Sequence, residues 1–356
     1  MVDAPAPFRI AFDNARDPYT ARNALGITGS GGGVTSATPP LSITAGVLSI
    51  DLSGYQPPPQ GRLTLTTATP VMTSTQVAKT TIFYTPYVGN KLPIYDGTVM
   101  VMTTFAELSN VTTASSTGSA GPAAVAASSV YDLFVWSNAG TVTLTRGPAW
   151  TSGTARSAGT ALVMVAGVLL NNVSITNGPA ASRGTYVGTV RSNASSQLDW
   201  ILGGSSAGGT AAIFGVWNAY NRRPVATQII DTTASFTVAA SGVASLNAAV
   251  GNRVTIVAGL QEDFHEAMIN YTGQAGASSN CGVGIGYNSL TAFSGVTAVS
   301  GFSGPAPVTG LYAVQPFGVN FFQGLQIAQG PSNCLIYGNA GAPLFIQGGM
   351  TFRGFF

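Results

Sequence analysis

The chain has 356 residues, enough for two ordinary domains with buried cores, so neither disulfides nor metals are needed to hold it together. Only 7% of its residues are charged, against about 25% in typical soluble domains, and the net charge is +2. With 45% apolar residues the chain is not disordered, and it lacks the basic stripe that nucleic-acid binding requires.

So little charge leaves a polar surface of Ser, Thr, Asn and backbone, which suits faces buried against identical copies and predicts self-association. The longest apolar run, Ala161 to Leu170, is half the roughly twenty residues of a spanning helix, so no membrane insertion is expected.

Residues 1–28 form a first piece, rich in charge for this chain (Asp3, Arg9, Asp13, Arg16, Asp17, Arg22). An early acid, two prolines and no apolar h-region exclude a secretory signal by pattern. Residues 29–60 follow as a linker. GSGGG (Gly29 to Gly33) is a flexible hinge by composition. Beyond it, Leu41/Ile43 and Leu48/Ile50/Leu52 alternate on either side of Ala45-Gly46, predicting two short strands around a turn that must borrow a core. Pro57-Pro58-Pro59 reads as a stiff spacer.

From 61 to 224 the pattern is β throughout, predicting a β-sandwich domain with frequent Gly and Asn turns. ALVMVAGVLL predicts two strands joined at Ala166-Gly167. Arg183 to Arg223 concentrates Arg191, Arg222, Arg223, Trp200 and Trp217, a composition suited to a packed seam. These five are the expected interdomain or intersubunit anchors, with Arg222 and Arg223 beside Asp199 or Asp231. Residues 225–356 read as eight short strands, the number and length of a jelly-roll-like sandwich. The terminal Phe352, Phe355 and Phe356 should be buried, against the chain's own core or a threefold axis. The fold class is therefore all-β.

Chemistry is sparse. Cys281 and Cys334 lie 53 residues apart without CxxC spacing, which reads as two buried small apolar residues, with a disulfide as the alternative. The sole histidine, His265, sits among Glu262, Asp263 and Glu266, where it reads as a charged strand end rather than a catalytic or metal constellation. The sequence offers no nucleophile elbow in a strand-to-helix context, and GSGGG and GGSSAGG (Gly203 to Gly209) lack the lysine or the strand-to-helix setting of a phosphate loop. The expectation is no enzyme, no cofactor and no metal site.

WSNAGTVTLTRGPAWTSGTARSAGTAL (Trp136 to Leu162), RGTYVGTVRSN (Arg183 to Asn193) and WNAYNRRP (Trp217 to Pro224), with LPIYDGT (Leu92 to Thr98) and FAELS (Phe105 to Ser109), resemble a module of tailed-phage or gene-transfer-agent-like virion proteins, the tail and head fibres or spikes. The likeness runs over residues 61 to 224 and more loosely beyond. ARNALGIT (Ala21 to Thr28) is similar to the end of a fibre's attachment region, and Pro39 to Pro59 to one repeat of a triple β-spiral shaft.

The resemblance implies a structural virion protein assembled in the bacterial cytoplasm. It would be a homotrimer, attached to another virion protein through residues 1–28, with Phe8, Arg9, Phe12, Arg16 and Arg22 as candidate contacts. Leu41, Ile43, Leu48, Ile50 and Leu52 would line the trimer shaft. Adhesion to a host surface polysaccharide is the implied activity, with Tyr271, Tyr287, Tyr312, Phe317 and Phe321 as candidate glycan-binding residues. A passive connector or decoration protein and a capsule depolymerase are the alternatives.

Overall fold

A computed structural model describes residues 41–44, 47–50, 57–114, 120–239, 241–301, 303–339 and 347–356. The chain divides into two compact units, residues 1–56 and 57–356. The candidate attachment residues Phe8, Arg9, Phe12, Arg16 and Arg22, and Leu52 of the candidate shaft, lie outside the described residues.

In the first unit, Leu41–Thr44 and Val47–Ile50 form an antiparallel hairpin, as the alternation predicts. Leu41 is opposite Ile50 and Ile43 opposite Leu48, so the register puts these four residues on one face. On the other face the Ser42 and Ser49 hydroxyls are 2.7 Å apart.

The second unit is β almost throughout. The helical turns among the described residues are Ala158–Thr160 and Leu246–Ala248. A central sheet is built on Val130–Asn138 and Thr185–Arg191, flanked by Thr141–Ala149, Val168–Asn171 and Leu162–Val165. The first six residues of both central strands are buried, which is why VYDLFV and TYVGTV run without alternation. Ala166 and Gly167 make the expected two-residue turn, both with φ positive (47° and 82°).

A second assembly folds one continuous set of strands into two layers packed face to face, joined where Leu198–Ser206 pairs in parallel with Pro224–Asp231. One carries Leu198–Ser206, Thr210–Phe214, Arg253–Ala258, Gly318–Gln329 and Asn280–Tyr287, and the other Pro224–Asp231, Gly349–Phe355, His265–Ala275 and Cys334–Tyr337. The layers approach closely at Gly310, on Ala306–Val314 beside His265–Ala275, where a Cβ would stand 2.5 Å from the Cα of Gly284. Cys281 and Cys334 form a disulfide across the two layers, with Cα atoms 5.5 Å apart. The reading of two separate apolar thiols is thereby corrected; burial was foreseen and pairing was the alternative.

The boundary read at 224/225 falls inside this assembly. Thr210–Phe214, before it, pairs in parallel with Arg253–Ala258, after it. Pro224 opens a strand rather than ending a domain, a position where its missing N–H costs no ladder bond.

Phe352 and Phe356 are buried in the chain's own core, around Trp200 and Phe214. Ring centroids are 4.8 Å apart for Trp200 and Phe214 and 4.9 Å for Phe214 and Phe356. Phe355 is half-buried. Filling this centre with four large rings removes several side chains from water, each contributing about 1.5–3 kcal/mol.

Candidate functional site

The buried polar groups divide into those that hold the fold and those that face solvent. Arg146 lies across the segment after Val111. Its guanidinium donates to Asn110 Oδ1 (2.7 Å), Val111 O (2.9 Å) and Ala123 O (2.6 Å), and to Ala114 O. Arg62 donates to Pro70 O (2.9 Å), Phe356 O (3.0 Å) and Asn221 O. Burial lowers the Arg62 pKa to about 10, still far above neutrality.

Asp132 accepts four hydrogen bonds. Oδ2 accepts from Arg156 Nε (2.9 Å) and Trp150 Nε1 (3.1 Å), and Oδ1 from Arg156 Nη2 (3.0 Å) and Thr189 Oγ1 (2.6 Å). The Arg156 guanidinium also lies 4.3 Å from the Trp150 ring centroid. These three arginines tie distant segments of the chain together.

The expected anchors meet different partners. Trp200 and Trp217 are buried, and Arg222 lies over Trp217 at 5.0 Å. Arg222 pairs with Glu262 (2.7 Å) and Asp263 (2.5 Å), not with Asp199 or Asp231. The latter two are already engaged: Asp199 accepts from Ala78 N and Asn193 Nδ2, and Asp231 from Gly208 N, Thr233 N and Asn247 Nδ2. Arg191 is half-buried, and the Asp199 charge acts on it without forming an ion pair. The Arg223 side chain is exposed, and its backbone alone pairs with Phe356.

His265 is buried rather than a charged strand end, wedged against Phe356 at 5.1 Å and Phe352 at 6.0 Å. Neither ring nitrogen makes a well-formed hydrogen bond. Burial lowers its pKa to about 4, outweighing the nearby backbone of Asp263 and Phe355. Among the described residues, no three His, Cys, Asp or Glu side chains converge as a metal site would require. No helix among them is long and apolar enough to cross a membrane.

The five aromatic candidates do not form one surface. Tyr271 is buried in the core, so it cannot serve as a platform; the alternation that turns Ala267 and Ile269 inward carries Tyr271 with them. Tyr287 and Tyr312 pair at 5.4 Å and are half-buried. Burial raises the Tyr287 pKa to about 12, and Tyr312 adds to the shift. Phe317 stacks on Trp150 at 5.2 Å, and Phe321 lies under Arg253 at 4.6 Å.

An open cleft of about 490 Å³ lies elsewhere, within the size of small-ligand sites. Three sequence segments build it. The hairpin Lys91–Tyr95 and Met100–Thr104 contributes Tyr95, Asp96 and Thr103; the end of Val130–Asn138 contributes Trp136 and Ser137; and Arg183 precedes Thr185–Arg191.

The Asp96 turn is tightly specified. Asp96 Oδ1 accepts from Thr98 N (2.7 Å) and Val99 N (2.9 Å). The Val99 and Thr98 amides, and the Arg183 charge after them, hold this exposed carboxyl below its ordinary range. Gly97, at φ +103°, presses on the Arg183 guanidinium so closely that a Cβ there would collide with it.

Arg183 lies 5.8 Å from the Tyr95 ring centroid and has no hydrogen-bond or ion-pair partner for its guanidinium among the described residues. Trp136 is half-buried with Nε1 donating to Thr145 Oγ1 (2.8 Å), which fixes the ring. The arrangement offers aromatic faces, a forked cation and a carboxylate to a ligand from solvent. Sequence reading singled out none of Tyr95, Trp136 or Arg183 for binding. The usable signal was their presence in LPIYDGT, WSNAG and RGTYVG, segments far apart in sequence. Compared with protein-family models and with curated proteins, the chain matches none.

Proposed function

We propose that the chain is a structural virion protein, a homotrimeric fibre or spike that adheres to a polysaccharide of the host cell surface, and that the Tyr95–Trp136–Arg183 cleft is its binding site. The observation that carries this reading is the convergence of LPIYDGT, WSNAG and RGTYVG on one open cleft. Those are segments on which the likeness to phage fibres rests. Aromatic rings with a few polar groups are a chemistry suited to sugars, whose C–H faces stack while their hydroxyls hydrogen-bond.

Two further observations support self-association. The hairpin at 41–50 has a register with four apolar residues on one face and cannot be stable alone in water. In the second unit, Met268, Leu311 and Val296 stand in one cross-strand row, exposed at 46%, 40% and 71%.

The test is retention of the purified full chain on arrayed bacterial surface polysaccharides. Binding that Trp136→Ala weakens at least tenfold is the expected result. Failure to bind any polysaccharide, or binding indifferent to Trp136, would refute the adhesive role of the cleft.

A further inference from the structure

We propose that the cleft selects a sugar bearing a carboxylate, such as a uronic or sialic acid residue, with Arg183 as the group that reads the acid. This inference rests on the adhesive reading above and narrows it to one ligand chemistry.

A guanidinium presents five donors in a planar fork matched to a carboxylate, and four of the arginines described above spend that fork on the protein. Arg62, Arg146, Arg156 and Arg222 all donate to carbonyls or carboxylates. Arg183 does not, although it lines an open cleft and is held from behind by Tyr95 and Gly97. Its charge acts on Asp96 without an ion pair among the described residues, which leaves the donors of the fork to a ligand acceptor such as a carboxylate.

The neighbouring groups narrow the anion. Asp96 lines the same cleft, and its Oδ1 is taken by backbone amides while Oδ2 has no partner among the described residues. A free carboxylate oxygen accepts ligand hydroxyls, and its charge disfavours a dianion such as a phosphate ester. Trp136, fixed by its bond to Thr145, offers a face to a ring with apolar C–H edges. The ligand that satisfies all three is a ring with several hydroxyls and a single negative charge.

Isothermal titration of the full chain tests this with a panel of glucuronate, galacturonate and N-acetylneuraminate oligosaccharides, each beside its carboxyl-reduced counterpart. At least one acidic member should bind about ten- to a hundredfold more tightly than its reduced form, the range of a charge-assisted hydrogen bond. Arg183→Gln should erase that difference. Arg183→Lys should keep only part of it, because the ammonium lacks the fork. If Arg183→Gln fails to fold, the wild-type salt dependence decides: affinity for the acidic form should fall with salt and that for the reduced form should not.

Equal binding of acidic and reduced forms, or an acid preference that survives Arg183→Gln, overturns the proposal while the adhesive reading stands. Binding of polysaccharides that ignores Trp136→Ala overturns the cleft as the site. Binding of none overturns both.

Discussion

Replacing Arg156 by Met is the sharpest test of how this charge-poor chain is held together. The Asp132 side chain is 2% exposed and that of Arg156 is 14% exposed, so the pair is shielded from water on both sides. The substitution removes two of the four donors on the carboxylate and its only counter-charge among the described residues, leaving Trp150 Nε1 and Thr189 Oγ1. Breaking a buried ion pair from one side costs about 3–5 kcal/mol, because the remaining charge stays buried and uncompensated. The lost stacking on Trp150 adds to this in the same direction.

The double variant Asp132→Leu/Arg156→Met removes both charges and keeps the volume. It should recover most of the loss, so the two single effects should not add. Urea unfolding of the four proteins in the cycle, followed by tryptophan fluorescence, measures this. A single-variant loss below about 1 kcal/mol, or strict additivity of the two, would refute the argument that this network stabilises the fold through a compensated buried charge.

Three other consequences can be measured. The Cys281–Cys334 disulfide closes 53 residues, and loop-closure entropy puts its contribution at about 4 kcal/mol. The double alanine variant should lose most of that, while reducing agent should leave this variant unaffected. His265 has a folded pKa near 4 against an ordinary 6.5, so the unfolded state binds the proton first and stability falls as pH drops from 6.5 to 4. At about 1.4 kcal/mol per pH unit the loss approaches 3 kcal/mol. His265→Leu should flatten that part of the melting-temperature profile, and an unchanged slope would contradict the burial argument. Gly97→Ala should weaken ligand binding at the cleft several-fold, since it displaces Arg183 and strains a backbone at φ +103°. Unchanged affinity would show that the Arg183 position does not matter.

Local patterns made the strands legible. The apolar run around Ala166-Gly167, the alternation at Leu41 to Ile50 and the aromatic terminus at Phe352 and Phe356 each depend on neighbours in sequence, and each is found as read. Tyr271 was misjudged despite a visible signal: it has the same parity as Ala267 and Ile269. Pro224 misled because a proline can start a strand as readily as it can end a domain.

What stayed hidden depends on contacts across long stretches of chain. Arg156 and Asp132 are 24 residues apart, and Arg62 reaches Phe356 across 294. No local pattern reveals that an arginine on a strand turns inward to cap a carbonyl rather than outward to water. The cleft has the same origin, since Tyr95, Trp136 and Arg183 come from three separate segments.

The account's central claim, a trimeric surface-binding fibre, is tested most directly by the native mass of the purified full chain at micromolar concentration. The prediction is a single species at three times the 36.1 kDa chain mass, stable to dilution. A species at 36.1 kDa across the whole concentration range would contradict it.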